Sequence, residues 1–524
     1  MYPAEYPTPS WVSSSEADTK VRVACVDTSA LASHVTLDAL VVGVVHDAGL
    51  ALGAAKACDW QLTFASGDPP LSGSALATWS AAGGNEERYA VVTQTNGVRA
   101  TSTLHAANER AGLYALRAAL DFTSSSVDGV KVGPAVVVDA PEIAWRGLVE
   151  GIYGHAEPGF DTQYSPAERA LLIRLASRLR ENTYIYGPKN DPYARSAWTV
   201  PYPSTGVGNA QAITLAAREA DANLVRFVWS LSPQNYWSDP TASPATNLVA
   251  AKAKIDSVRA LGVHHFALFA DDNVVDCNAG HRTPCSDAQI ADQAALANAL
   301  DDYVKTGDPS DHLLFVWWDY SGFGDQYTSA LGKLLAPDIE TMWTGPTVRS
   351  CTITASDISR VNASLGRRVS IWDNWPIDQT TISASSPGCG AVPIRMTGRA
   401  PDLPIVIGGF YTNPVLNQAS TEAGTDMRYP LLSGSRADFI GQLGPIADYA
   451  WAPTRYSVDA SYAAWATREA DDVAKASDCG ATCATSGWSC GTPDAIAWCD
   501  AITGCKGEAT CAAGCTAGAP PQCE

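Results

Sequence analysis

The chain has 524 residues, of which 46% are hydrophobic, and it carries a formal net charge of −20 at pH 7. This charge argues against nucleic acid, anionic membranes and polyanionic substrates as main partners, because their approach would be repulsive, whereas neutral sugars are compatible with it. No stretch of about 18 uncharged apolar residues occurs, so we expect no membrane-spanning segment. The length predicts about two to four domains.

The first 140 residues are predicted to form a small α/β domain. They contain apolar runs that we interpret as strands, such as LDALVVGVV at 37–45 and RYAVVT at 88–93. The segment ERAGLYALRAAL then places Leu113, Leu116 and Leu120 on one face of a helix.

Residues 141–430 contain eight short apolar or aromatic runs, which we interpret as strands. In chain order they are WRGLVEGIYG (145–154), NTYIYGPK (182–189), NLVRFVWSLSP (223–233), HHFALFADD (264–272), HLLFVWWDY (312–320), IETMWTGP (339–346), RVSIWDNWP (368–376) and LPIVIGGFYTNP (403–414). Eight strand–helix units over roughly 270 residues match a (β/α)8 TIM barrel in number and size.

Helix-like segments separate most of these runs. Ser165, Pro166 and Glu168 have the spacing of an N-cap, a first helical position and a capping glutamate, and leucines follow at helical spacing. Another helix is predicted from about residue 245 to 261, and Gly262 would end it.

Polar or aromatic residues stand at or near the ends of most runs. They are Tyr153, Lys189, Asp271, Asp272, Tyr320, Thr344, Asn374 and Asn413. An active site at the carboxyl ends of barrel strands would leave this pattern. Polar strand ends also arise simply because loops begin there, but the recurrence in nearly every run favours a site.

The adjacent pair Asp271 and Asp272 is the sharpest chemical feature of the barrel. Two carboxylates this close do not easily both ionise, so one is pushed towards acting as a proton donor. Glycosidic cleavage needs such an acid together with a carboxylate that stabilises positive charge on the sugar. Taken alone, the pair is better explained by a solvated turn or by a divalent-metal site with Asp276.

Five tryptophans lie close to the same strand ends, where their faces could stack on sugar rings or simply fill the core. They are Trp317, Trp318, Trp343, Trp372 and Trp375. The eight histidines form no ligand pair, and no GxSxG, P-loop or GxGxxG unit occurs in a suitable context. We therefore expect neither a metal nor a cofactor.

The chain after the barrel is predicted to be a helical extension at 431–475 and a cysteine-rich tail at 476–524. The tail holds eight of the 14 cysteines, without the CxxC pairs of a zinc site, so we expect disulfides and an extracellular or periplasmic location. The first 15 residues show no signal peptide. Proximity in sequence predicts the pairs Cys25–Cys58, Cys277–Cys285 and Cys351–Cys389.

Several of these segments together resemble glycoside hydrolase family 84, the O-GlcNAcase-type β-N-acetylglucosaminidases, some of which are named hyaluronidases. The ordered set is WRGLVEGIYG, NTYIYGPKNDPYAR, FADD, MWTGP, WDNWP and TNP, within roughly residues 85–455. The resemblance implies a retaining enzyme that removes terminal β-linked N-acetylglucosamine from glycoconjugates. In this mechanism the substrate's own acetamido oxygen forms an oxazoline.

The resemblance also implies roles for individual residues. Asp271 would orient the acetamido N–H, and Asp272 would be the general acid and then the base. Tyr320 would hydrogen-bond the acetamido oxygen, and Thr344 and Trp372 would help to shape the acetamido pocket. The remaining substrate-binding residues would be Gly151, Lys189, Asn374, Asp378 and Asn413.

This sequence departs from the family pattern at a few positions. Ile152 stands where phenylalanine is usual, Trp317-Trp318-Asp319 replaces Pro-Thr-Glu, and Asn374 and Asp378 are four residues apart rather than five. These changes affect the expected aglycone preference more than the chemistry. Two alternatives are a secreted, non-catalytic carbohydrate-binding protein on the same barrel, and a surface protein whose tail is the working part.

Overall fold

The computed structural model describes most of the chain, and beyond residue 486 it describes the backbone alone. The described residues are 9–15, 19–53, 58–126, 129–151, 164, 166–203, 209–234, 236, 244–271, 285–374, 396, 398–413, 436–461, 463–464, 487–492, 495–500, 505–510, 515–516 and 522–523. Contacts divide the chain into two compact units. The first comprises Met1–Ala144, Ala222–Leu224 and Asp448–Ala464, and the second comprises Trp145–Asp221, Val225–Ala447 and Trp465–Glu524. The four-part division expected from the sequence stays a prediction.

The first unit is an α/β domain, as predicted. Its strands are β1 (Trp11–Ser14), β2 (Thr19–Val21), β3 (Val23–Asp27), β4 (Ala51–Leu52), β5 (Trp60–Ala65), β6 (Tyr89–Thr95), β7 (Ala100–Ala106), β8 (Thr123–Ser126), β9 (Gly129–Val132) and β10 (Ala135–Asp139). Its helices are α1 (Val35–Asp47), α2 (Gly73–Ala81) and α3 (Glu109–Asp121). A seven-stranded mixed sheet has the order β1-β10-β6-β7-β5-β3-β4, and β2, β9 and β8 form a smaller one.

One predicted strand in this unit is wrong. The run LDALVVGVV lies inside helix α1 rather than in the sheet. Leu37, Val41 and Val45 recur every four residues and are buried, whereas Val42 is 57% exposed. A short apolar run rich in valine is compatible with a buried strand and with one face of a helix. Here the segment is helical, and its apolar face packs against the core.

Two other predictions in this unit are confirmed. The segment ERAGLYALRAAL forms helix α3, whose first turn is capped by the Asn108 side chain, 2.9 Å from the Ala111 amide. Cys25 and Cys58 form a disulfide bond. Cys285 and Cys351 are also disulfide-bonded, but their expected partners Cys277 and Cys389 lie outside the described residues.

The second unit contains the predicted closed barrel of eight parallel strands. Its strands are β11 (Trp145–Glu150), β12 (Thr183–Tyr186), β13 (Arg226–Leu231), β14 (His265–Phe269), β15 (Leu314–Val316), β16 (Glu340–Trp343), β17 (Val369–Asp373) and β18 (Gly409–Thr412). Its helices are α4 (Pro166–Arg178), α5 (Asn209–Ala222), α6 (Pro244–Arg259), α7 (Asp287–Val304), α8 (Asp325–Leu334) and α9 (Ala355–Leu365), and a short 3-10 turn occurs at Leu403–Ile405. Helix α10 (Arg436–Trp451) begins in the second unit, and its last four residues belong to the first, which also contains the 3-10 turn at Pro453–Arg455.

All eight predicted barrel runs form strands, and each strand pairs in parallel with the next until β18 closes on β11. Side chains from every strand fill the barrel, among them Val149, Ile185, Val228 and Met342. The last run differs in extent, because its first residues form a 3-10 turn and the strand begins only at Gly409. Pro404 within that turn has no amide hydrogen to donate to a sheet.

The helix predicted at about 245–261 is α6, which ends two residues earlier than expected. Gly262 follows it with φ +92°, and its amide lies 2.9 Å from the Arg259 carbonyl oxygen. A glycine adopts this left-handed backbone without the steric cost of a Cβ. Helix α4 begins at Pro166, also as predicted.

The carboxyl-terminal residues contain short strands. They are β19 (Gly487–Thr492), β20 (Ala495–Asp500), β21 (Cys505–Thr510), β22 (Cys515–Thr516) and β23 (Gln522–Cys523). Strands β19, β20 and β21 form an antiparallel sheet, and β22 pairs with β23. Within the described part of the chain, no helix has the length and hydropathy needed to span a bilayer.

Candidate active site

The barrel brings most of the predicted site residues to one end. Gly151 follows β11 directly, Asp271 lies two residues after β14, and Asn374 and Asn413 follow β17 and β18 directly. Lys189, Tyr320 and Thr344 come within four residues of the ends of β12, β15 and β16, and Trp372 is the penultimate residue of β17. Because all eight strands are parallel, their carboxyl ends share one mouth, where enzymes of this architecture place their sites.

A buried ion pair joins two of these strand ends. The Lys189 ammonium contacts the Asp271 carboxylate, and the two residues are 8% and 4% exposed. The ammonium also lies 5.4 Å from the ring centre of Trp372 and 5.8 Å from that of Phe269. A carboxylate removed from water needs such a partner, since an isolated buried charge is strongly disfavoured.

Trp372 forms an apolar floor beside this pair. Its indole packs at 5.0 Å, between ring centres, against Phe269, and its Nε1 donates to Oδ1 of Asn374 at 2.8 Å. A Cβ at Gly151 would lie only 1.9 Å from the indole ring. The glycine therefore lets the backbone after β11 approach the tryptophan face closely.

Two asparagines connect three strand ends at the mouth. Asn413 donates through Nδ2 to the Gly151 carbonyl oxygen at 3.1 Å and to Asn374 Oδ1 at 3.2 Å. Asn374 in turn donates to the Val348 carbonyl oxygen at 2.8 Å. The buried Oδ1 of Asn413 has no hydrogen-bond partner within the described part of the chain, so it can accept a hydrogen bond from a ligand.

Tyr320 and Thr344 contact each other through the backbone. The Thr344 amide donates to the Tyr320 carbonyl oxygen at 3.0 Å, and the Thr344 hydroxyl lies 3.3 Å from the Thr347 carbonyl oxygen. The partly buried Tyr320 ring packs against the barrel core that includes Trp372. Next to it, burial raises the pKa of the Asp319 carboxyl.

Sequence reasoning missed several residues that shape this mouth. Phe269 supports Trp372 and lies two positions before Asp271, so strand periodicity could have indicated that both face inward. Gly187 follows β12 directly, and a Cβ there would lie 2.5 Å from the Phe269 ring. The salt bridge between Asp373 and Arg399 joins residues 26 apart, and no sequence signal pairs them.

Two of the predicted site residues are not among the residues that the structure describes. Asp272 and Asp378 lie outside the described residues, as do Tyr153, Asp276 and Trp375. The roles expected of all the site residues therefore stay predictions, although the structure gathers the other eight at the barrel mouth. The arrangement offers a buried carboxylate, a cation, an aromatic face and amide groups, which together suit recognition of a sugar bearing an amide.

The chain is similar in sequence to known proteins. A family model described as beta-N-acetylglucosaminidase matches residues 146–425, slightly more than half of the chain. Protein O-GlcNAcase of Mus musculus is 31% identical over 252 residues, covering 46% of this chain and 26% of that protein. The Rattus norvegicus protein of the same name is 30% identical over 235 residues, covering 44% and 24%. The chain thus matches about a quarter of the length of these relatives.

Solved structures share the fold. The structure of CpGH84B has a TM-score of 0.67 and 20% identity, with 92% of this chain and 77% of that chain covered. The structure of CpGH84D has a TM-score of 0.63 and 18% identity, with 90% and 74% covered. At these identities the likeness concerns the fold.

Proposed function

Because the chain belongs to the β-N-acetylglucosaminidase family, glycoside hydrolase family 84, we propose that it removes terminal β-linked N-acetylglucosamine from glycoconjugates as a retaining exo-enzyme. The observation that carries the proposal is the buried pair of Asp271 and Lys189 beside the Trp372 face. This site offers a carboxylate, held by a cation, next to a surface on which a sugar ring can stack.

In the proposed mechanism the substrate supplies its own nucleophile. The acetamido carbonyl oxygen attacks C1, while Asp272 donates a proton to the leaving glycosidic oxygen as the C1–O bond breaks. Asp271 accepts a hydrogen bond from the acetamido N–H and stabilises the positive charge that develops on the oxazoline ring. Asp272 then takes a proton from water as the water oxygen attacks C1, which opens the oxazoline with retention.

Other residues would bind the sugar rather than react with it. Tyr320 would hydrogen-bond the acetamido oxygen, and Thr344 and Trp372 would help to shape the pocket around the acetamido group. Asn374 would bind the acetamido region or Asp271. Four residues at the strand ends would bind hydroxyl groups of the ring, namely Gly151, Lys189, Asp378 and Asn413. The orphaned Asn413 oxygen supports this assignment, because a sugar hydroxyl can donate to it.

The proposal needs no metal, cofactor or nucleic acid, and the substrate would be a glycan or glycoprotein that carries N-acetylglucosamine. We also propose an extracellular or periplasmic location. The Cys25–Cys58 disulfide and the cysteine-rich tail support it, since disulfides persist in oxidising compartments.

Aryl β-N-acetylglucosaminides with different leaving groups test the two aspartates. Asp272→Asn removes the proton donor and should lower the rate by about 10²–10⁴ with a poor leaving group, and by less with a nitrophenolate that needs no proton. Asp271→Asn should be slow with every leaving group, because the positive charge on the oxazoline ring loses the carboxylate that stabilises it. Asp338→Asn is the control, since this carboxylate is 60% exposed and paired with Lys305.

Fluorination of the acetyl methyl group tests the nucleophile. It weakens the carbonyl oxygen and should slow the wild type progressively. A hydrolysis rate that does not change with fluorination would refute substrate assistance, and so would a sugar trapped covalently on either aspartate. A wild type that binds N-acetylglucosamine without hydrolysing any aryl glycoside would support the non-catalytic alternative instead.

A further inference from the structure

A buried arginine lies directly behind the amide residues of the candidate active site. Arg399 belongs to the connection between β17 and β18. Its Nε lies 2.7 Å from Oδ2 of Asp373, and its Nη2 lies 2.6 Å from Oδ1 of the same residue. Both side chains are 1% exposed. Two parallel hydrogen bonds from a planar guanidinium fix the direction of the carboxylate as well as its distance.

The same guanidinium also holds the loop that follows β16. Its Nη1 donates to the Cys351 carbonyl oxygen and its Nη2 to the Ser350 carbonyl oxygen, each at 2.9 Å. Two backbone hydrogen bonds reinforce the contact. The Ile353 amide donates to the Gly398 carbonyl oxygen at 2.8 Å, and the Ala400 amide donates to the Ile353 carbonyl oxygen at 3.2 Å. One side chain thus joins the end of β17 to the loop after β16.

Both of these segments carry residues of the site. Asp373 stands between Trp372 and Asn374, and its carbonyl oxygen accepts the Asn413 amide at 2.9 Å. In the loop after β16, the Val348 carbonyl oxygen accepts a hydrogen bond from the Asn374 side chain at 2.8 Å. Movement at Asp373 would therefore displace the tryptophan floor and both asparagines together.

We propose that Arg399 is a positioning residue for glycosidic cleavage, acting through Asp373 on Trp372 and Asn374. This inference rests on the proposed function and adds a requirement to it. A buried ion pair contributes little net stability compared with apolar side chains of similar size, so stability alone is a weak explanation for it. A lysine would keep the charge but could not bond both carboxylate oxygens and two carbonyls in one plane.

Kinetics of Arg399→Lys test the inference on an aryl β-N-acetylglucosaminide. We expect kcat to fall about 10- to 100-fold, the usual effect of removing a group that orients a site residue. The change in KM should stay within about threefold, because misplacement matters most where the transition state is bound. The control is Arg174→Lys, which breaks a similar two-bond contact with Glu219 (2.6 and 3.0 Å) between α4 and α5.

Hydrogen exchange of the same proteins gives a readout that does not depend on turnover. Arg399→Lys should speed amide exchange in segments 344–353 and 409–413, and Arg174→Lys should leave both unchanged. The double variant Asp373→Asn/Arg399→Gln removes both charges of the pair together, so it keeps the test available if Arg399→Lys does not fold. Its expected effects on kcat and exchange are the same.

The possible results distinguish failure of the inference from failure of the proposed function. A folded Arg399 variant with wild-type kcat would overturn the inference, and so would unchanged exchange in both segments. A wild type without any turnover would overturn the proposed function, and the positioning of the strand ends would then be judged by exchange alone. A kcat loss with faster exchange, absent from the Arg174 control, supports the inference.

Discussion

At the scale of single residues, the barrel mouth is organised by buried charges that occur in pairs. Glu150, just before Gly151, accepts two hydrogen bonds from Arg169 at 2.8 and 2.7 Å, and both side chains are fully buried. The pairs Lys189–Asp271 and Asp373–Arg399 lie at other strand ends. Each pair lies at or beside a predicted site residue, where each buried charge is stabilised by its partner.

Glu181 is a buried carboxyl of a different kind, and it gives the protein a pH-dependent stability. The residue is 2% exposed, and burial raises its pKa from 4.5 to about 8, although nearby Arg146 opposes the shift. Between those values the unfolded chain loses this proton while the folded protein keeps it. The free energy of unfolding should therefore fall as pH rises from about 4.5 to 8, by at most about 1.4 kcal/mol per unit, and level off above 8.

Urea unfolding of Glu181→Gln across this range checks the effect. The amide cannot ionise, so its unfolding free energy should exceed that of the wild type more at about pH 8 than at about pH 5. The exposed Glu86→Gln variant controls for the loss of one negative charge. Parallel pH profiles for wild type and Glu181→Gln would show that Glu181 does not titrate in this range.

At the scale of elements, the local sequence pattern was enough to predict the barrel strands, whereas packing determined the type of one apolar run. The barrel strands are short and buried on both faces, as in β12 and β17, and this is typical of parallel strands covered by helices. They were recognisable as short apolar or aromatic runs, most of which carry polar or aromatic residues at or near their ends. The run 37–45 is also apolar, but it lies in helix α1, because its apolar residues Leu37, Val41 and Val45 are buried on one helix face.

Helix α9 shows how much local chemistry can stabilise an element that carries site loops. Thr354 and Asp357 form a capping box, in which the Asp357 amide lies 3.2 Å from the Thr354 hydroxyl and the Thr354 amide lies 2.9 Å from the Asp357 carboxylate. Thr354→Ala should lower the free energy of unfolding by about 1 kcal/mol, since one amide loses its partner. Denaturant titration measures this.

The exposed Thr352→Ala variant is the control for that substitution, because Thr352 precedes the helix and has no part in the cap. Equal stability of the Thr354 and Thr352 variants would contradict a stabilising role for the capping box. Activity should change little in either variant.

At the scale of the whole molecule, net charge limits the substrates. A protein at −20 repels a polyanion over distances set by the Debye length, about 8 Å at physiological salt. The one lysine among the predicted site residues is already paired with Asp271. Neutral, chitobiose-like or O-linked N-acetylglucosamine substrates avoid this repulsion.

We therefore predict poor activity on hyaluronan, which carries a carboxylate on every second sugar. Its kcat/KM should lie well below that of a neutral substrate and should rise when salt is added, because screening removes the repulsion. Kinetics at about 0.01 and 0.15 M salt measure both effects, with a neutral aryl glycoside as control. Efficient depolymerisation of hyaluronan at physiological salt would contradict the prediction.

The amino-acid sequence by itself determined the barrel, its strand order and the end at which the site lies. Strand patterns and polar residues such as Lys189, Asp271 and Asn413 are local features, and parallel strands can bring their ends together in only one way. The family followed from the same ordered segments. The Cys25–Cys58 disulfide could also be predicted from the sequence, because the two residues are close in the chain.

Only the tertiary structure decided how the site is held. The contacts of Lys189 with Asp271, of Trp372 with Gly151, and of Arg399 with Asp373 join residues far apart in the chain or depend on ring placement. No local propensity encodes such pairs, because their energy depends on burial and on the exclusion of water, and these exist only after the barrel closes.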